Sequence, residues 1–221
     1  MAVSNLSLKL ILDKIQEELS KREEVREEVQ KDMRRATRLS KQAILFTHQE
    51  RFENARKLLK EASELFAKLR EVSKDYPDLF YSGLVSAAFE EYSEAYTLLV
   101  LIEEDRFITP EELDVPVVSY ALALGDVIGE LRRRALDSLR KGNVETAEKC
   151  LETMEHIYSE LTAMDDAYLL VHGLRRKCDV ARRVIEATRG DVTIEIRRSL
   201  LERSIQKLEK TIGKKRKARR N

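Results

Sequence analysis

Apolar residues recur at intervals of three and four along most of the chain. Leu6, Leu10, Ile11 and Ile15 set the pattern near the start, and Leu58, Leu59, Leu65 and Leu69 repeat it further on. That spacing paints one face of a 3.6-residue helix, and no stretch shows the alternation of period two that a half-buried strand needs. Proline occurs only at 77, 110 and 116, so residues 1–76 and 117–221 lack the strongest helix breaker. Local signals place several boundaries. Thr109, Pro110 and Glu112 read as an N-cap, a first-turn proline and a capping-box acid, while Gly142-Asn143 and Gly190-Asp191 each read as a C′ glycine followed by a new N-cap. The pattern predicts an all-α fold of about seven long antiparallel helices, near 7–47, 50–74, 78–105, 110–139 with a break at Pro116, 144–163, 166–188 and 192–212. They form one bundle-like domain over 1–213, with 214–221 a disordered tail.

Composition changes this picture in two places. Hydrophobic residues make up 43% of the 221, enough for a substantial core, and charged residues reach 37%, the solvated faces of amphipathic helices. Lys plus Arg number 41 and Asp plus Glu 40, yet Lys214, Lys215, Arg216, Lys217, Arg219 and Arg220 crowd the last eight positions, leaving the remainder slightly acidic. No basic start followed by an apolar run opens the sequence, and the longest apolar candidate, from Tyr96 to Ile102, runs into Glu103, Glu104 and Asp105. The expectation is a cytoplasmic protein without a membrane span, with Cys150 and Cys178 reduced and packed in the core.

Acids stand where helix faces should turn inward. Glu91 and Glu94 are three residues apart, on a stripe with Ala87, Ala88, Ala95 and Leu98. Asp126 and Glu130 are four apart, on a stripe with Leu122, Ala123 and Gly129. Gly125 and Gly129 each cost about 1 kcal/mol relative to alanine inside a helix, so another backbone or a ligand is expected to come close there. Converging carboxylates would suit magnesium or manganese rather than zinc, and such a site favours phosphodiester hydrolysis. The alternative is that these acids are surface charges, or that they pair with Arg132, Arg133 or Arg134.

Phosphates require basic neighbours. Arg34, Arg38 and Lys41 share one stripe with Arg35 adjacent, either as a nucleic-acid contact or as partners of Glu27, Glu28 and Asp32. Arg175, Arg176, Lys177, Arg182 and Arg183 form a second cluster in which Asp179 is the only acid. His48, His156 and His172 have no ligand-like spacing, and no glycine-rich phosphate loop or Gly-x-Ser-x-Gly elbow is present, so no nucleotide cofactor is expected.

Arg38-Leu39-Ser40-Lys41 with Ile44-Leu45-Phe46 and His48, then Glu91-Tyr92-Ser93-Glu94-Ala95, then Tyr120 with Gly125-Asp126 and Gly129-Glu130-Leu131, resemble the translin family, closest to its translin-associated factor X branch. The likeness runs from about Lys31 to Leu208 and includes Arg189-Gly190. It implies a seven-helix protein assembling into an octameric closed shell, and a magnesium-dependent endoribonuclease (manganese substituting) acting on single-stranded RNA. The resemblance places metal ligands at Glu91, Glu94 and Asp126, a fourth catalytic acid at Glu130, and a substrate contact at His48. Translin itself, the non-catalytic relative, has a stretch rich in Arg and His where this chain has Tyr81-Ser82-Gly83-Leu84-Val85-Ser86. A holding shell that binds RNA or single-stranded DNA without cleaving it is the second expectation.

Overall fold

The computed structural model describes residues 5–164, 168 and 170–218, with side-chain environments over 8–212 of these. Its described residues contain helices and no strand: α1 Asn5–His48, α2 Phe52–Val72, α3 Pro77–Phe80, α4 Gly83–Glu104, α5 Pro110–Leu113, α6 Val117–Arg140, α7 Val144–Ala163 and α8 Leu174–Ala218. The chain divides into two compact units, Met1–Ala123 and Leu124–Asn221, with the boundary inside α6. Nothing in the sequence marks that division, because the helix is continuous across it.

In the first unit α1 packs on α2 and on α4. Val29, Met33, Ala36, Ser40, Ala43 and Thr47 of α1 are buried at intervals of three and four, as are Ala55, Leu59, Ala62, Phe66 and Leu69 of α2. From α4, Val85, Ala88, Phe89, Tyr92, Ala95 and Leu98 complete the layer. Phe66 stacks on Phe89 at 4.3 Å between ring centroids and lies 5.2 Å from Tyr92. Ser93, also buried, donates its hydroxyl to the Phe89 carbonyl within the helix, which satisfies it without a partner elsewhere. The expected apolar stripe at the start of α1 is not core: Leu10, Ile11 and Ile15 are exposed, as is Leu19 beyond them, and the side chain of Leu6 lies outside those described. Buried positions on α1 begin only at Val29, where α2 reaches it.

The capping signals at the middle of the chain are realised. The Thr109 side chain accepts from the Glu112 backbone N–H while the Glu112 carboxylate accepts from the Thr109 N–H, with Pro110 opening the turn. Asp114 then takes a left-handed conformation and ends α5, so the chain re-enters helix only after Pro116.

In the second unit α7 packs on α8, with Ala147, Cys150, Met154, Ile157 and Leu161 facing Leu174, Cys178, Ala181, Ile185, Thr188 and Val192. Gly142 has φ +75° and closes α6 in a Schellman motif, its N–H reaching the Leu139 carbonyl and the Asn143 N–H the Ser138 carbonyl. The Asn143 side chain then caps α7. The second expected boundary, at Gly190-Asp191, does not exist. The buried stripe continues through it from Ile185 to Val192, and one helix runs from Leu174 to Ala218. Gly173, at φ +92°, is the glycine that sets where this helix begins. The helix expected from 166 falls partly on residues 166, 167 and 169, outside those described. The basic segment expected to be disordered is helical as far as Ala218, and residues 219–221 are likewise outside.

Candidate nucleic-acid interface and acidic site

α4 holds Glu91 and Glu94 on one half-buried face because the residues around them, Ala88, Tyr92, Ala95 and Leu98, commit the rest of that turn to the core. The carboxylate of Glu91 is only 20% exposed and lies 3.7 Å from the Lys41 ammonium of α1. Lys41 ends the exposed stripe of Arg34, Arg38 and Lys41, so packing of α1 on α4 brings the Lys41 end of the stripe beside Glu91 within a single unit. Arg35, adjacent to the stripe, pairs with Glu61 of α2 at 3.6 Å instead, and the Arg34 guanidinium donates to Gln30 at 3.5 Å. Glu28 and Asp32 are both taken by Lys68, at 2.6 and 3.0 Å. They are therefore not the partners of the stripe that the sequence allowed. His48 is the last residue of α1 and half-buried, where a helix C-terminus favours a basic side chain.

In the second unit Asp126 forms an ion pair with Lys177 of α8. The gap expected at Gly125 is filled by the same lysine: a Cβ built there would lie 3.0 Å from Lys177 Cβ and 3.3 Å from its Cδ. Gly129, by contrast, is exposed and faces open space, so the expected close approach is absent there. Glu130 is 24% exposed and lies 3.6 Å from Arg133 in the next turn. Arg132 turns to α8, donating to the Thr188 hydroxyl at 2.8 Å and pairing with Asp191 at 3.2 Å. Arg175, Arg176, Arg182 and Arg183 are exposed along the first turns of α8. Lys177 was visible in the sequence only as a member of that cluster. Its role as counter-ion of Asp126 was missed, although the glycine beside Asp126 was the signal for it.

Three of the four acids therefore already face a basic side chain: a lysine for Glu91 and Asp126, an arginine for Glu130. Among the described residues no group of three or more His, Cys, Asp or Glu is gathered into a set that could hold a metal ion. The donor chemistry nevertheless fits magnesium. Taken unit by unit, Glu91 with Glu94 and Asp126 with Glu130 each offer two hard-oxygen donors, and magnesium is usually held by one or two carboxylates plus waters and phosphates. The two cysteines are buried, and desolvation pushes the Cys150 thiol up to about 11 and Cys178 in the same direction, which makes them poor nucleophiles. No described helix is long and apolar enough to cross a membrane.

Comparisons with known proteins complete the picture. The profile described as Translin family matches residues 24–212. An uncharacterized protein of Methanocaldococcus jannaschii, MJ0175, is 32% identical over 152 residues, covering 68% of this chain and 67% of that one. Among solved structures, AfC3PO in complex with duplex RNA is similar at 34% identity and a TM-score of 0.76, over 86% of this chain and 98% of its own. Apo-NeC3PO is similar at 29% identity and a TM-score of 0.73, over 88% and 99%.

Proposed function

The chain belongs to the Translin family, and from that premise we propose that it is an RNA-binding subunit of a homo-oligomeric helical shell. More finely, we read it as a magnesium-dependent endoribonuclease of the translin-associated factor X type, octameric and cytoplasmic. The observation that supports this reading is Lys41, the end of the Arg34, Arg38 and Lys41 stripe, 3.7 Å from Glu91 on the half-buried face it shares with Glu94. A strand held by its phosphates on that stripe lies next to carboxylates able to serve hydrolysis. The similarity to a protein solved with duplex RNA supports an RNA ligand, and makes duplex a necessary probe beside the single strand favoured by the family resemblance.

The resemblance assigns Glu91, Glu94 and Asp126 as the oxygen donors for magnesium or manganese. When bound, the ion would supply Lewis-acid charge to the phosphodiester and acidify a water. The chain's own contributions are distinct from it. Arg34, Arg38 and Lys41 bind and orient the backbone, His48 ends the same helix, and Arg175, Arg176, Arg182 and Arg183 offer a second basic surface on α8. Glu130, one turn beyond Asp126, is the fourth acid that the resemblance assigns to the catalytic set.

A second reading, a shell that holds nucleic acid without cleaving it, is favoured by one specific finding: Glu91, Asp126 and Glu130 all have basic partners. The two separate in one experiment. Labelled single-stranded and duplex RNA are incubated with the protein in magnesium or EDTA, beside Asp126→Asn and Glu91→Gln. Cleavage that needs the metal and disappears in both variants establishes the nuclease. Binding without cleavage by any of the proteins establishes the holding shell. A light-scattering mass of 25.6 kDa, that of one chain, would contradict either form of assembly.

A further inference from the structure

Lys177 lies against α6 at Gly125, where there is no side chain. Its stem lies on Gly125, where a Cβ would approach to 3.0 Å, and its ammonium reaches the carboxylate of Asp126. The lysine side chain is 23% exposed and the aspartate 40%. Most of the stem is therefore withdrawn from water while the carboxylate stays open to solvent. A lysine on a flat glycine track differs from the exposed arginines around it. Its stem can stay on Gly125 while the terminal ammonium rotates about the last bonds of the side chain.

We propose that Lys177 is an internal placeholder cation for Asp126, which gives up the carboxylate to a divalent ion and thereby sets the affinity for that ion. The proposal rests on Asp126 being a metal donor, as in the functional reading above. A carboxylate that must serve as a ligand is costly to leave uncompensated in a half-buried setting, and a mobile ammonium stabilises it until the ion arrives. Lys177 is thus a positioning residue acting through Asp126. The same exchange would leave the ammonium beside the bound charge, on a tether short enough to meet a phosphate oxygen.

The test is Mn2+ binding to the intact protein by titration calorimetry at fixed pH and protein concentration, without RNA. Lys177→Met is expected to tighten binding by about two- to fivefold, the range in which a partly exposed ion pair contributes. Lys177→Arg, which keeps a cation, should return toward the wild type. Lys141→Met, the same change of charge at an exposed site past the end of α6, should leave the affinity unchanged. Asp126→Asn separates the two layers of the argument. If it does not weaken Mn2+ binding, Asp126 is no ligand and the functional assignment falls together with the exchange. If it does, while Lys177→Met fails to tighten binding or Lys141→Met tightens it equally, only the exchange is overturned.

Discussion

Gly190→Ala should stabilise the protein, although the sequence alone argued that it would do the reverse. Gly190 lies inside α8 with ordinary helical backbone, is exposed, and has nothing within 4 Å of the position a methyl group would take. Thr188 and Val192 on either side are buried, and the flanking residues are tied down, Arg189 to Glu155 at 2.7 Å and Asp191 to Arg132 at 3.2 Å. The substitution therefore adds no clash and removes backbone freedom from the unfolded chain. The gain is about 0.8–1 kcal/mol, the helix-interior difference between glycine and alanine. For a chain of this size that is a rise of about 2–4 °C in Tm. Gly142→Ala is the matched control. The space there is also open, but φ is +75°, so alanine must adopt a left-handed conformation costing about 1–2 kcal/mol, and Tm should fall. Thermal unfolding followed by circular dichroism, at one protein concentration for all three proteins, reads both signs. A Gly190→Ala protein that melts below the wild type would mean that the chain turns at Gly190 and that α8 is two helices.

Three further outcomes follow from the packing and charge. Phe66→Ala should cost about 3–5 kcal/mol in urea unfolding, because the ring is 2% exposed and stacked on Phe89, whereas an alanine at exposed Leu19 should cost less than about 0.5 kcal/mol. Cys150 and Cys178 should resist thiol reagents in the native protein at pH 8 and react once it is unfolded. Burial holds their protons more tightly than in the unfolded chain, so stability should decline as pH rises from about 9, where unfolded thiols ionise, toward about 11, where the Cys150 thiol does. Arg38→Met should weaken RNA binding uniformly across sequences and lower the slope of log affinity against log salt by about one, and an unchanged slope would remove Arg38 from the interface.

What was legible in the sequence depended on how local its cause was. The Thr109, Pro110 and Glu112 cap and the Gly142-Asn143 junction are each settled by neighbours a few residues apart, and both are realised. The helical periods of α2 and α7 could be read for the same reason. Gly190 misled because an isolated Gly-Asp pair resembles a stop, while the stripe that overrides it, Ile185 to Val192, is held by residues of α7 distant in sequence. The early stripe of α1 misled in the opposite way, being apolar and helical but beyond the reach of α2. At the candidate site, type and spacing singled out the acids and the basic stripe only as candidates, and the resemblance gave the acids their expected role. The pairing of Asp126 with Lys177, fifty-one residues apart, has no signature beyond the missing side chain at Gly125.

The uneven burial along α1 gives a single uninterrupted helix two lifetimes. At 44 residues it is about 66 Å long, yet its buried positions begin only at Val29. In the lone chain, backbone amides from Val29 to Thr47 can meet deuterium only when the surrounding core opens. Those near Leu8 to Leu19 are shielded by one turn of helix and a film of water, and open by fraying. Exchange in the first stretch should run on the timescale of global unfolding and in the second far faster. Any surface that comes to rest on Leu8, Leu12, Ile15 and Leu19 would announce itself by slowing the fast end to match the slow one.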